Sequence, residues 1–186
     1  MRLQFDTERL LLRPFEPQDA DVVQRLAGEY AVASTTLSLP HPYPDGAADT
    51  WIAFRSDAAK HGHGYTFAIV VRSERRLIGC VSLNLASEHR RAELGYWLGS
   101  AFWGKGYATE AASRVIRFGF EELNLNRIWG AAMTRNPASS AVLRKSGMRH
   151  EGIMKQHIRK WDRFEDVEYF GMTKSDFTQS SSSLET

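Results

Sequence analysis

The segment Trp103-Gly104-Lys105-Gly106-Tyr107-Ala108-Thr109-Glu110-Ala111 stands between an apolar, strand-like run, Ala92 to Leu98, and the clearest helical pattern in the chain. Its two glycines permit a tight turn and leave main-chain N–H groups uncovered. Beside the positive end of a helix dipole, such amides form a cradle for a phosphate or diphosphate, and Lys105 adds a positive charge. The same glycines would also serve a plain strand-to-helix turn. Two other phosphate loops are excluded by missing parts. A Walker-type loop needs Ser or Thr directly after the lysine, where Gly106 stands, and a dinucleotide fingerprint needs a further glycine where Thr109 stands.

Working outward, Ala108, Ala111, Ala112, Val115, Ile116, Phe120 and Leu123 recur at the three-and-four spacing of one buried helix face. Upstream, Tyr65 to Val71 and Leu77 to Leu85 read as strands joined by the polar turn Arg72 to Arg76, with Ala92 to Leu98 as a third. Downstream come a strand at Arg127 to Met133, a helix at Pro137 to Lys145, and strands at Arg149 to His157 and Asp166 to Met172. At the start, Leu10-Leu11-Leu12 reads as a strand, Gln18 to Glu29 and Ala47 to Lys60 as helices, and Thr35 to Pro44 as a proline-rich loop. The order β-α-α-β-β-β-α-β-α-β-β predicts a mixed α/β (α+β) fold. Its central sheet of six to seven strands is mostly antiparallel, with helices on both faces. One domain is expected over residues 1–174, followed by a polar, Ser-rich tail at 175–186 that frays.

The chain has 186 residues, 24 basic and 22 acidic side chains, and 42% hydrophobic residues. That is enough for one hydrophobic core without disulfides. The formal charge of +2 is too evenly spread for a nucleic-acid partner. No run approaches a membrane span, the beginning lacks a signal-peptide core, and the one cysteine, Cys80, sits in an apolar run as a buried thiol. These features predict a soluble, cytoplasmic protein with no membrane partner. His61-Gly62-His63 has metal-like spacing but no third ligand nearby, so no metal is expected.

On these residues the chain resembles the GNAT acetyltransferases, and within them the branch of the ribosomal-protein N-terminal acetyltransferases. The likeness runs from Thr7-Glu8-Arg9-Leu10-Leu11-Leu12-Arg13 to Asp166-Val167-Glu168-Tyr169. The family's diphosphate loop is matched by Trp103 to Ala108, with Trp103 where Gln or Arg is usual. Ala92-Glu93-Leu94-Gly95-Tyr96-Trp97-Leu98 is similar to the strand that pairs with the pantetheine arm. Asn136-Pro137-Ala138-Ser139, then Lys145-Ser146-Gly147-Met148 and Glu151-Gly152, match later motifs in order.

The resemblance implies an N-acetyltransferase with acetyl-CoA as co-substrate. Tyr96, Trp97, Leu98, Trp103, Gly104, Lys105, Gly106, Tyr107, Ala108, Thr109, Asn136 and Ser139 are the expected cofactor-binding residues. Asn136 before Pro137 is equally a helix cap. Glu93 or Glu151 is expected as the base. Ser139, or a water on it, is expected as the acid, because Ser140-Ala141-Val142-Leu143 offers no tyrosine. Main-chain N–H groups near Trp97 and Leu98 would hold the oxyanion. The acceptor is expected to be the α-amine of a protein such as a ribosomal one, entering past the Thr35–Asp49 loop and the final hairpin, with Trp51, Tyr30 or Tyr43 as lining. A small amine (a polyamine, an amino acid or an antibiotic) is the alternative, and a non-catalytic acyl-CoA-binding module is a third. The family commonly forms homodimers.

Overall fold

In a computed structural model, described here over residues 3–182, the chain forms one eight-stranded sheet with helices on both faces. The strands are β1 (Phe5–Asp6), β2 (Leu10–Pro14), β3 (Gly64–Val71), β4 (Arg76–Ala86), β5 (Arg91–Leu98), β6 (Arg127–Met133), β7 (Arg149–Lys160) and β8 (Arg163–Thr173). The helices are α1 (Ala20–Ala27), α2 (Tyr30–Thr35), α3 (Ala47–Lys60), α4 (Tyr107–Glu121), α5 (Pro137–Lys145) and α6 (Lys174–Ser182). The sheet order is β1-β2-β3-β4-β5-β6-β8-β7. Every neighbouring pair is antiparallel except β5–β6, the two strands that α4 connects as a crossover.

The sequence leads to six or seven strands because β1 is two residues long, too short to show periodicity. The helix expected over Gln18 to Glu29 is broken at Gly28, and a second short helix, α2, takes Tyr30 to Thr35. The tail expected from residue 175 begins as α6, whose Phe177 ring stacks on Phe120 of α4 at 5.0 Å. Residues 183–186 of that tail lie outside the described residues.

One sheet face carries α4 and α5, and the other carries α1 and α3. On α4, Ala111, Ala112, Val115, Ile116, Phe118 and Phe120 are buried. Each fully buried Val, Ile or Phe contributes about 1.5–3 kcal/mol of hydrophobic stabilisation. Phe118 falls off the expected stripe, yet Phe5, Tyr65 and Phe67 enclose it at 5.1 to 5.8 Å. On the other face Ala20, Val23, Ala27, Ala48 and Ile52 form a smaller cluster, against which Trp51 and Trp97 pack.

Arg13 on β2 holds the start of α1 in place. Its Nη1 and Nη2 donate to the two oxygens of Asp19 at 2.7 and 2.9 Å, and the Glu16 N–H donates to the same carboxylate at 2.8 Å. Burial alone would raise the Asp19 carboxyl, but these hydrogen bonds and the Arg13 charge hold it below the usual range.

Candidate active site

β5 and β6 pair only at Arg91–Arg127, Ala92–Ile128 and Glu93–Trp129. Beyond Glu93 the two strands separate, and β5 stays paired on its β4 side alone, from Glu93–Asn84 to Leu98–Gly79. Gly99 N–H donates to Ile78 O at 3.0 Å. Alternation along an antiparallel pair then turns the main-chain groups of Glu93, Gly95 and Trp97 toward β4, and those of Leu94, Tyr96 and Leu98 toward the gap. Of the two amides expected near an oxyanion, the one that faces the gap is therefore Leu98 N–H.

The gap is a cavity of about 580 Å³ that passes from one face of the sheet to the other. On the α4–α5 face it meets Gly104, Gly106, Tyr107, Ala108, Thr109, Asn136 and Ser139. On the α1–α3 face it meets Trp51, Arg55, Ser82, Asn84 and Glu93. Thr35, Thr36, Leu37, Ser38 and Leu39 close one side.

The loop before α4 has the geometry its glycines suggest. Gly104 and Gly106 have φ of 72° and 81°, a region that costs other residues roughly 1–2 kcal/mol. Among the described residues, no main-chain or side-chain acceptor meets the N–H groups of Gly104, Lys105, Gly106, Tyr107, Ala108 or Thr109. They lie at the start of a 15-residue helix, where its dipole favours negative charge. Trp103 explains its own departure from the family motif: its Nε1 donates to Leu98 O at 2.8 Å and ties the loop to the open strand. The Lys105 side chain is exposed and is not part of the cavity wall; its carbonyl accepts from Arg9 Nη1 at 2.9 Å. Arg9 also donates to Glu110 through its main chain at 2.8 Å and through Nε at 2.7 Å.

Glu93 and Ser139 meet the same cavity; Glu151 does not. Glu151 sits on β7, three strands across from β5, or about 14 Å at ordinary strand spacing. Its carboxylate accepts from Arg127 Nη2 at the end of the sheet remote from the gap. Strand order thus separates a sequence neighbour of the Lys145–Met148 motif from the cavity.

Glu93 stands opposite Asn84 and alternates with the buried Ala92 and Leu94, so it turns to the α3 face. Burial pushes its carboxyl above the usual carboxylate range, and the Arg55 charge offsets this in part. Ser139 lies in the first turn of α5, which Asn136 caps: Ser139 N–H donates to Asn136 Oδ1 at 3.2 Å. Asn136 Nδ2 donates to Thr35 O at 3.1 Å, so this side chain braces two walls of the cavity as well as meeting it.

Sequence reading misses one feature here. The Tyr96 hydroxyl donates to Ser139 O at 2.9 Å and shares a hydrogen bond with Ser139 Oγ at 2.8 Å. Burial pushes that phenol up to about 12, against a smaller opposing effect of the Ser139 hydrogen bond. A tyrosine is absent from α5, but β5 supplies one to the same hydroxyl. The alternation that puts Tyr96 on the Ala92–Leu98 face is the signal that was available.

On the acceptor side, the final hairpin and the β6–α5 connection hold the 34–39 segment. Lys160 Nζ donates to Leu39 O at 2.6 Å, and Arg135 Nη2 donates to Ser34 O at 2.7 Å. Trp51 meets the cavity, Tyr43 meets a neighbouring groove, and Tyr30 instead stacks on Trp161 at 5.4 Å, away from both. Cys80 is buried, which pushes its thiol up to about 12 and leaves it protonated and unreactive. Among the described residues no helix is long and apolar enough to cross a membrane.

A sheet split beside a helix start with free amides suits a ligand that carries a diphosphate on an extended arm. The family described as acetyltransferase (GNAT) domain matches residues 9–149, and the chain belongs to it. It is 34% identical over 172 residues to the uncharacterized N-acetyltransferase p20 of Bacillus licheniformis, covering 92% of this chain and 96% of that protein. It is 25% identical to the ribosomal protein uS5-alanine N-acetyltransferase of Escherichia coli, over 95% of this chain and 94% of that one. Its fold superposes on a GNAT acetyltransferase from Bacillus anthracis with a TM-score of 0.83, at 25% identity, covering 92% of this chain and 99% of the other. The protein is an N-acetyltransferase that uses acetyl-CoA.

Proposed function

We propose that the acceptor is the N-terminal α-amine of a protein or peptide, a ribosomal protein being the leading case. The observation that carries this reading is the make-up of the cleft wall: among the described residues Glu93 is its only carboxylate, alongside two cations, Arg55 and Lys145. A polyamine carries several positive charges and calls for several carboxylates. A peptide α-amine carries one charge and titrates near ~8, so roughly a tenth is neutral at pH 7, whereas a lysine near ~10.4 is almost wholly charged. The base therefore has about 3 kcal/mol less to do for an α-amine. One carboxylate, acting directly or through water, is sufficient equipment.

In this reading the free amides of Gly104 to Thr109 bind the diphosphate of acetyl-CoA, and the open edge of β5 receives the pantetheine arm. The thioester then lies in the gap, with Leu98 N–H placed for its oxygen. The acceptor enters from the α3 face. Its nitrogen bonds to the acetyl carbon, the carbon–sulfur bond breaks, Glu93 takes the proton from nitrogen, and Ser139, backed by Tyr96, gives a proton to the departing thiolate. The likeness to an enzyme that acetylates a ribosomal-protein alanine supports this choice of acceptor.

The test is a thiol-release assay with acetyl-CoA. Acceptors are peptides with a free α-amine, the same peptides blocked at that amine but carrying lysine, and spermidine. Turnover with the first set and little with the others is expected. Turnover confined to lysine side chains or spermidine overturns the reading.

A further inference from the structure

Arg55 on α3 stands where two cavities meet. One is the cleft described above. The other is a groove of about 660 Å³ between α3 and residues 38–47, walled mainly by Leu39, Pro40, Tyr43, Pro44, Trp51 and Phe54. Ser38, Leu39, Trp51 and Arg55 belong to both walls, so the groove continues the acceptor side of the cleft outward.

A guanidinium has five N–H donors and holds its charge at any working pH. Arg55 is half-buried, yet its one side-chain hydrogen bond among the described residues goes to a neutral acceptor, Nη1 to Asn84 Oδ1 at 2.8 Å. Its Nε is buried and meets no acceptor among the described residues. It also takes part in none of the ion pairs there, although Glu93 shares the wall of the cleft with it and Asp45 the wall of the groove. Other half-buried arginines are paired, Arg13 with Asp19 and Arg127 with Glu151. The Trp51 and Phe54 rings each stand 5.7 Å from the Arg55 guanidinium carbon, which narrows its range of positions. A planar cation with spare donors, fixed at the mouth of an acceptor channel, suits a carboxylate.

We propose that Arg55 determines acceptor specificity by binding a carboxylate that the acceptor carries a few bonds from the amine, with the remainder of the acceptor lying in the apolar groove. This inference rests on the acceptor reading above and narrows it. The carboxylate has two sources: an acidic residue at the first or second position of a peptide, or the carboxyl group of a free α-amino acid.

The experiment compares kcat/KM for charge pairs of equal shape in the wild type, Arg55→Gln and Arg55→Lys. The peptide arm sets Asp against Asn and Glu against Gln at the first and second positions. The amino-acid arm sets phenylalanine against phenylalaninamide. In the wild type the carboxylate member is expected to be favoured about tenfold or more in at least one arm, because a site built around a polar group rejects the analogue lacking it. In Arg55→Gln that ratio should fall to about 1, and Arg55→Lys should restore part of it. A wild-type ratio of 1 or below in both arms, or a ratio that survives in Arg55→Gln, overturns the inference. The same pairs as N-acetylated products, titrated calorimetrically into protein holding coenzyme A, read the preference without turnover. Peptides that react with no charge preference sink the role of Arg55 alone. An Arg55-dependent preference seen only with free amino acids keeps that role and sinks the protein acceptor.

Discussion

The phenol of Tyr96 on β5 and the hydroxyl of Ser139 on α5 meet at 2.8 Å across the open side of the split sheet. Ser139→Ala is therefore expected to lower kcat by roughly 10²-fold while leaving the acetyl-CoA KM within about threefold. Tyr96→Phe should give a smaller loss of the same kind. The double variant should lose less than the product of the two, since the hydroxyls act as one unit. Steady-state kinetics of the three variants decide this, and multiplicative losses would separate the two residues.

Burial displaces the Glu93 carboxyl upward, and only its ionised form can take a proton. Activity limited by this base must then rise with pH through a value above the usual carboxylate range, where ordinary surface carboxylates are already ionised. A kcat/KM profile corrected for acceptor titration should show that acid limb. Glu93→Gln should abolish it and cost about 10²–10⁴-fold. Glu151→Gln, on the far strand, should leave both limb and rate in place.

Gly106 has φ of 81° and begins α4 at the free amides. Gly106→Ala adds a methyl where only Arg9 Nη2, at 3.3 Å, stands close, so the cost is conformational rather than a clash. Strain of roughly 1–2 kcal/mol should rotate the cradle amides and raise the acetyl-CoA KM by about tenfold. The kcat at saturation should change less. Calorimetric titration with coenzyme A measures the same loss without catalysis.

Asp19 tests the scaffold. Its folded carboxyl lies below its unfolded value, so the stabilisation is complete above the unfolded value, near ~3.9, and is lost as pH falls through the folded one. Asp19→Asn should cost about 3 kcal/mol at neutral pH by leaving the mostly buried Arg13 unpaired. It should also flatten the acid side of the stability profile. Urea unfolding from about pH 7 down to about pH 2, a span that crosses the unfolded value and continues below it, reads both effects.

Local chemistry made part of this fold readable. The limits of α3, β6 and α5 fall where expected because Asp45-Gly46, Asn136-Pro137 and Gly147 mark ends that chain geometry enforces. The glycine loop was equally legible, since a positive φ costs glycine least. What stayed hidden depends on partners distant in sequence. β1 exists because Phe5 has Phe67 and Phe118 to rest on, and α6 persists through Phe177 against Phe120. Tyr96 and Ser139 are 43 residues apart, and no spacing rule joins them. Glu151 shows the reverse: it is close in sequence to the motif, but the strand order and Arg127 hold it away from the cavity.

Arg9 belongs to the amino end of the chain, and Glu110 and Lys105 flank the cradle that begins α4. Their bonds act as a buckle, so the first strands and the coenzyme site loosen or tighten together. A truncation that removes the opening residues would then unfasten a site a hundred positions away, and a loaded site would shield the amino end from proteases.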